Sequence, residues 1–343
     1  MINVDTVKIT FPLKKKFTIS KGSAERKTNL LTILNNRYTG EASGSVHYGP
    51  DLDQINEDIK KGIELIKAHK KVDINTLDEI GGYQLNPVAR SALISMVLNF
   101  ISGETKRYPW EILSIGGPVG VKSSITISLD DASRMMRDIY DSEFPIVKIK
   151  LGGEEDVKII ESLKEITDRD IRVDANGAWS CEKAEEMIFH LANAGITIIE
   201  QPTDIEFIKD WPHLRGNNED VELFLDEGLN TLEDYRTNAE FIQGVNIKME
   251  KSGGIINAIE IARAARNDNK KIMLGCMVES SVGIAQSLYM SSMADYWDLD
   301  GPLLIEDDIA TGINYCMDTI EVDREIIGGP KLKRDVVDKY IKE

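Results

Sequence analysis

Over residues 1–117 the apolar positions read as strands followed by helices. Val4–Phe11 and Asn29–Asn35 have strand character, and Tyr38–Gly40 reads as a turn. Ile55, Ile59, Ile63 and Ile66 recur at helical spacing in an otherwise charged stretch. Asn86 and Pro87 supply an N-cap and a first-turn proline for an apolar helix over Val88–Ile101. This is an α+β pattern. From about residue 122 it gives way to a repeat, in which short apolar runs alternate with amphipathic stretches such as Val157, Ile160, Leu163 and Ile166. The runs are Ile125–Leu129, Ile146–Ile149, Ile171–Val173, Ile196–Ile199, Val221–Leu225, Val245–Ile247, Ile272–Leu274 and Tyr296–Leu299. Successive runs begin 21 to 27 residues apart, the length of one βα unit. Eight such units predict a closed parallel barrel of the α/β class, with function at the C-terminal ends of its strands. Residues after about 310 do not continue the repeat and are expected to return to the N-terminal part. The chain therefore divides, as an expectation, into an α+β unit over 1–117 completed by 312–343, and a barrel over 118–311.

Composition narrows the chemistry. The chain has 343 residues, 42% of them hydrophobic, as in an ordinary soluble protein. Its longest apolar run, Ser91–Ser102, holds Asn99 and is too short to span a bilayer. The N-terminus lacks the apolar core of a signal peptide, so a cytoplasmic protein with no membrane partner is expected. A formal charge of −17 argues against nucleic acid as a partner. Cys181, Cys276 and Cys316 are odd in number and far apart, so neither a disulfide framework nor a zinc pair is expected. The four histidines, His47, His69, His190 and His213, show no ligand spacing. Any metal should be a hard cation on oxygen ligands.

Those oxygens have clear candidates. Asp174, Glu200 and Asp226 follow three consecutive predicted strands, each 26 residues after the last. A lone acid at such a place is usually a helix cap or a surface charge. Three in register stand side by side on a barrel rim and suit Mg²⁺, which keeps open positions for substrate. Lysines end neighbouring strands: Lys148 and Lys150 in IVKIK share one face, and Lys248 closes VNIK. Lys150 precedes the first acid and Lys248 follows the last, so the two approach a bound molecule from opposite sides. One removes the α-proton of a metal-bound carboxylate and the other returns one to the opposite face, through an enediolate. This requires a lowered lysine pKa, toward which Lys148 and a dication both push.

At these residues the sequence resembles the enolase superfamily, and within it the muconate-lactonizing-enzyme subgroup. The matching segments are VKIKLG, VDANGAW, IEQP, LDEG, NIKMEKSGGI and LGCMVESS, with Gly40-Glu41-Ala42 and Ile115-Gly116-Gly117 as capping-domain landmarks. The resemblance implies a modified TIM barrel, (β/α)7β, under an α+β cap. It implies one magnesium per subunit at Asp174, Glu200 and Asp226, with manganese as a substitute. Lys150 and Lys248 would form the acid/base pair, and Lys148 would assist near the substrate carboxylate. The eighth run ends in Asp298-Leu299-Asp300, a pair on one face. It looks like the DxD that holds the substrate ammonium in dipeptide epimerases, and it argues against cycloisomerases and succinylbenzoate synthases, which bind no ammonium.

The resemblance thus implies an isomerase acting on dipeptides, with L-Ala-D/L-Glu as the default substrate and a homo-oligomeric assembly. N-acylamino-acid racemase, o-succinylbenzoate synthase or muconate-type cycloisomerase remains the alternative, and a non-catalytic binding barrel the remote one. The first cap loop, Ile19–Lys27, is expected to read the substrate side chain, with Lys21, Arg26 and Lys27 positioned for an acidic one. His47 and Tyr48 fall in a second cap loop, and Glu279, Ser280 and Ser281 are expected to line the site after the seventh strand.

Overall fold

The computed structural model describes residues 2–44, 50–118, 120–166 and 169–340. The chain opens with an antiparallel sheet of β1 (Val4–Ile19), β2 (Gly22–Leu34) and β3 (Tyr38–Ala42). The first two strands run well past their apolar stretches. Most of the expected loop over Ile19–Lys27 is strand, because the hairpin arm pairs Phe17 with Ala24 after a register shift beyond Pro12. That arm is largely solvent-facing, so lysine and arginine occupy positions where a buried strand would show alternation. The expected turn at Tyr38–Gly40 is also strand. The reversal lies just before it, where Asn35 and Asn36 take positive φ (52° and 56°), as asparagine tolerates.

Three helices follow: α1 (Leu52–Ala68), α2 (Ile74–Gly82) and α3 (Pro87–Thr105). The Asp51 side chain and Gln54 form a capping box that opens α1, and Ile55, Ile59, Ile63 and Ile66 make its buried face. Asn86 caps α3, accepting from the Ala89 amide at 2.9 Å, with Pro87 in the first turn. Strand β3 runs so close to α3 that a Cβ at Gly40 would collide with the Ala92 carbonyl. Asn99 of α3 donates to the Thr39 carbonyl at 2.8 Å.

The repeat forms one eight-stranded parallel sheet hydrogen-bonded in chain order. Its strands are Ile125–Ile127, Ile146–Lys150, Asp170–Asp174, Ile198–Glu200, Glu222–Leu225, Gly244–Lys248, Lys271–Gly275 and Tyr296–Asp298. The barrel is nearly closed. Its ends meet through a bridge between Ser123 and Trp297, with the Ser124 amide donating to the Trp297 carbonyl at 3.2 Å. Full pairing stops there because Val121–Lys122, just before the first strand, pairs instead with Thr319–Val322 near the C-terminus. Ile198, Phe224 and Met273 fill the barrel interior, so its floor is packed and its mouth is free for chemistry. The chain beyond the barrel returns to the N-terminal sheet. Ile309, Ala310 and Val336 share an apolar cluster with Ile9, Phe11, Leu31 and Ile33.

Candidate active site

Alternation along the second barrel strand sets the site. Val147 and Ile149 are fully buried toward the outer helices, so Lys148 and Lys150 project into the barrel. Register places Lys150 opposite Asp174, and Asp174 opposite Glu200. Asp226 follows the fifth strand directly. The Gln201 carbonyl oxygen Oε1 holds this turn by accepting from the amides of Asp226 and Glu227, both at 3.0 Å. One oxygen from each of Asp174, Glu200 and Asp226 lies within 4.8 Å of the others, and all three residues are buried.

The lysines engage these acids directly. Lys150 Nζ donates to Asp174 Oδ2 at 2.5 Å, and Lys248 Nζ to Asp226 Oδ2 at 2.6 Å. Lys148 Nζ donates to Glu200 Oε2 at 2.8 Å and to Asp298 Oδ2 at 2.7 Å. Burial alone would raise the Asp174 carboxyl, but Lys150 and Lys148 outweigh it and hold it below the usual range. Asp226 is likewise held low against burial by Lys248 and Lys251. Glu200, buried beside Asp174, is pushed well up. Burial would lower Lys248, yet Asp226 and Glu200 raise it well above the ordinary lysine value. The expected lowering of a lysine is therefore opposed by the acids themselves. Three buried carboxylates that draw four ammonium groups, those of Lys148, Lys150, Lys248 and Lys251, are the donor set a hard dication needs, and neutralising them would remove the cause of the raised lysine.

A cavity of about 260 Å³ opens between this cluster and the β1–β2 hairpin. Lys148, Lys150, Lys248, Asp226, Asp298 and Asp300 line it from the barrel side. Asp298 Oδ1 accepts from the Ser124 hydroxyl at 2.6 Å, and Asp300 Oδ2 from the Thr126 amide at 2.7 Å. Burial and the neighbouring Asp298 push Asp300 up to about 6.

The enolase C-terminal domain-like family model matches residues 131–310, more than half of the chain and nearly the whole barrel. The chain belongs to the enolase superfamily. An L-Ala-D/L-amino acid epimerase of a Maribacter species is 29% identical over 91% of this chain and 94% of that relative. An L-Ala-D/L-Glu epimerase of Bacteroides thetaiotaomicron is 30% identical over 80% of this chain and 72% of that one. Among solved structures, a dipeptide epimerase from Cytophaga hutchinsonii, complexed with Mg and D-Ala-L-Val, superposes with a TM-score of 0.87 at 24% identity. That match covers 98% of this chain and 97% of the other. A muconate lactonizing enzyme from Pseudomonas fluorescens superposes almost as well, at 0.86 and 22% identity over 98% and 97%. Fold alone therefore does not separate activities within the superfamily.

In this superfamily member the cap-loop residues differ from expectation. Arg26 pairs with Pro12, is exposed and does not line the cavity, nor does Lys21; Lys27, the next residue on β2, does. The period of two on a strand decides which neighbour faces in, and a loop reading cannot apply it. His47 and Tyr48 lie outside the described residues. Glu279, Ser280 and Ser281 are buried behind the wall, which Cys276, Met277 and Val278 form instead. Ser280 caps the helix Ser281–Tyr289 and its hydroxyl donates to Glu41, while the Ser281 hydroxyl donates to Asp308. Three contributors escaped the sequence reading. Asn246 donates to Glu200 Oε1 at 2.9 Å, and Lys251 Nζ to Asp226 Oδ1 at 2.8 Å. Glu250 lines the cavity. All three stand inside NIKMEKSGGI, where one helical turn after Lys248 returns Lys251 to the same side.

Proposed function

We propose that this protein is a magnesium-dependent dipeptide epimerase that inverts the α-carbon of the C-terminal residue by 1,1-proton transfer. The observation that carries the reading is the placement of Lys150 and Lys248 on the second and sixth barrel strands, in one cavity, with the acid triad between them. Asp174, Glu200 and Asp226 would hold the ion. Magnesium, when bound, neutralises the substrate carboxylate and makes its α-proton more acidic. Lys150 takes that proton from one epimer, and Lys248 delivers one to the opposite face of the enediolate. The reverse direction exchanges their roles. Lys148, fixed between Glu200 and Asp298, adds positive charge where the substrate carboxylate sits.

The ammonium of the N-terminal residue goes to the Asp298/Asp300 pair. Asp298 already accepts from Lys148 and Ser124, so Asp300 offers the freer oxygen and takes the larger share. The elements outside the barrel, residues 1–117 with 312–343, act as the cap over the 118–311 barrel. Among the described residues no helix is long and apolar enough to cross a membrane. The reading extends to a cytoplasmic homo-oligomer on the strength of the resemblance, and sedimentation of the native protein checks the assembly.

The test is α-proton exchange in D₂O, followed by mass spectrometry over dipeptides and N-acyl amino acids with Mg²⁺ present. Dipeptides should gain one deuteron. Exchange confined to N-acyl amino acids would make the protein a racemase of that class instead.

A further inference from the structure

The cavity wall on the cap side holds a carboxyl that the reaction does not use. Glu250 is 1% exposed and lines the cavity two residues beyond Lys248. Among the described residues, neither of its oxygens finds a donor on another part of the protein, apart from the facing Glu279 carboxyl. Burying a carboxyl without partners is costly, and a sequence keeps one where something arrives to satisfy it.

The neighbouring charges decide what that is. Glu41 already accepts from Asn29, from the Ser280 amide and hydroxyl, and from the Gly283 amide. Lys27 donates to the Gly44 carbonyl, and its single charge offsets one of the three glutamates around it, Glu41, Glu250 and Glu279. Glu250 and Glu279 are left facing each other, with Oε2 of Glu279 also lacking a donor. Burial drives Glu250 up to about 7 and, with Glu250 beside it, Glu279 well above the usual range, as for two carboxyls that share a proton. An acidic side chain placed there would add a second negative charge to a pair that can hold only one. An apolar one would leave both carboxyls unsatisfied. A cation would form charge-assisted hydrogen bonds with them.

We propose that Glu250, backed by Glu279, is the specificity determinant for a cationic side chain, lysine or arginine, on the residue being epimerised. This assignment rests on the epimerase reading above. The α-carbon held between Lys150 and Lys248 must send its side chain away from both lysines and the triad. That direction is toward the cap, where Lys27, Pro87, Val88 and Glu250 wall the cavity. Of the cationic residues the cap segment offers an acidic side chain, Arg26 faces outward, and Lys27 already stands among Glu41, Glu250 and Glu279.

The test measures kcat/KM for epimerisation of L-Ala-L-Lys, L-Ala-L-Arg, L-Ala-L-Leu and L-Ala-L-Glu by the Mg²⁺-loaded full chain. The lysine and arginine dipeptides should exceed the other two at least tenfold. Glu250→Gln should shrink the lysine-to-leucine ratio at least tenfold, and Glu250→Lys should move the ranking toward L-Ala-L-Glu. A wild-type preference for glutamate or leucine overturns the assignment, as does a Glu250→Gln loss in equal proportion for all four. The wild-type ranking decides even where a variant fails to fold. Exchange with the wrong ranking defeats the side-chain assignment alone, whereas no exchange with any dipeptide defeats the epimerase reading with it.

Discussion

At the scale of single residues, the site is a set of charges that need one another. Lys148 shows this best. It is buried and raised well above the ordinary lysine value, because Asp298, Glu200 and Asp174 overcome the effect of burial. Bonded to Glu200 and Asp298 at once, with Asp174 at 3.3 Å, it acts as a fixed positive charge. Lys150 and Lys248 each touch a single triad acid within hydrogen-bond distance and so are the pair free to exchange protons. Among the described residues Asp300, unlike Asp298, forms no ion pair with a lysine, which fits it for a substrate cation. Asp300→Asn should lower kcat/KM for dipeptides by roughly tenfold to a hundredfold, the worth of one hydrogen bond to a charged group. Steady-state epimerisation assays check this, and an unchanged kcat/KM would remove Asp300 from ammonium binding.

At the scale of elements, the sequence was most legible where a regular period met a burial requirement. The strand ends carrying Asp174, Glu200 and Lys248 could be located because a parallel barrel buries both faces of each strand, so any charge there stands out. Helix α1 was readable from four isoleucines, and α3 from Asn86-Pro87. The hairpin arm was not, since its exposure leaves no apolar alternation to separate the inward Lys27 from the outward Arg26. The Glu250–Glu279 contact was also hidden. It joins the turns after the sixth and seventh strands, and no spacing along the chain encodes how two loops meet. Gly40 marks a close approach of two elements, where β3 packs on α3. Gly40→Ala must push Ala92 aside and should destabilise the fold by about 1–3 kcal/mol, the usual cost of overpacking. Urea unfolding checks this, and an unshifted midpoint would show that the two elements are free to separate.

At the scale of the molecule, the N-terminal sheet meets the barrel loops across buried acids, with Glu41 of β3 bonded to Ser280 and Gly283, and this couples stability to pH. Glu250 rises from an ordinary 4.5 to about 7 in the folded chain. A raised acid binds its proton more tightly when folded, so its contribution is complete below about 4.5 and is lost as pH climbs through 7. For Glu250 alone the loss is about 3 kcal/mol between pH 4.5 and 8. Glutamine cannot titrate, so Glu250→Gln should show a shallower fall in unfolding free energy over this range. Parallel slopes for wild type and variant would show that Glu250 is not held protonated by the fold.

The central claim, two lysines working on opposite faces of one α-carbon, is tested most directly by following each epimer separately in D₂O. Lys150→Ala and Lys248→Ala should each lower epimerisation by about 10²–10⁴-fold. Each variant should still exchange the α-proton of the one epimer that faces its surviving lysine, with retention of configuration, and the two variants should favour opposite epimers. If either variant still interconverts the epimers at the wild-type rate, or both exchange the same epimer, the two-lysine account is wrong.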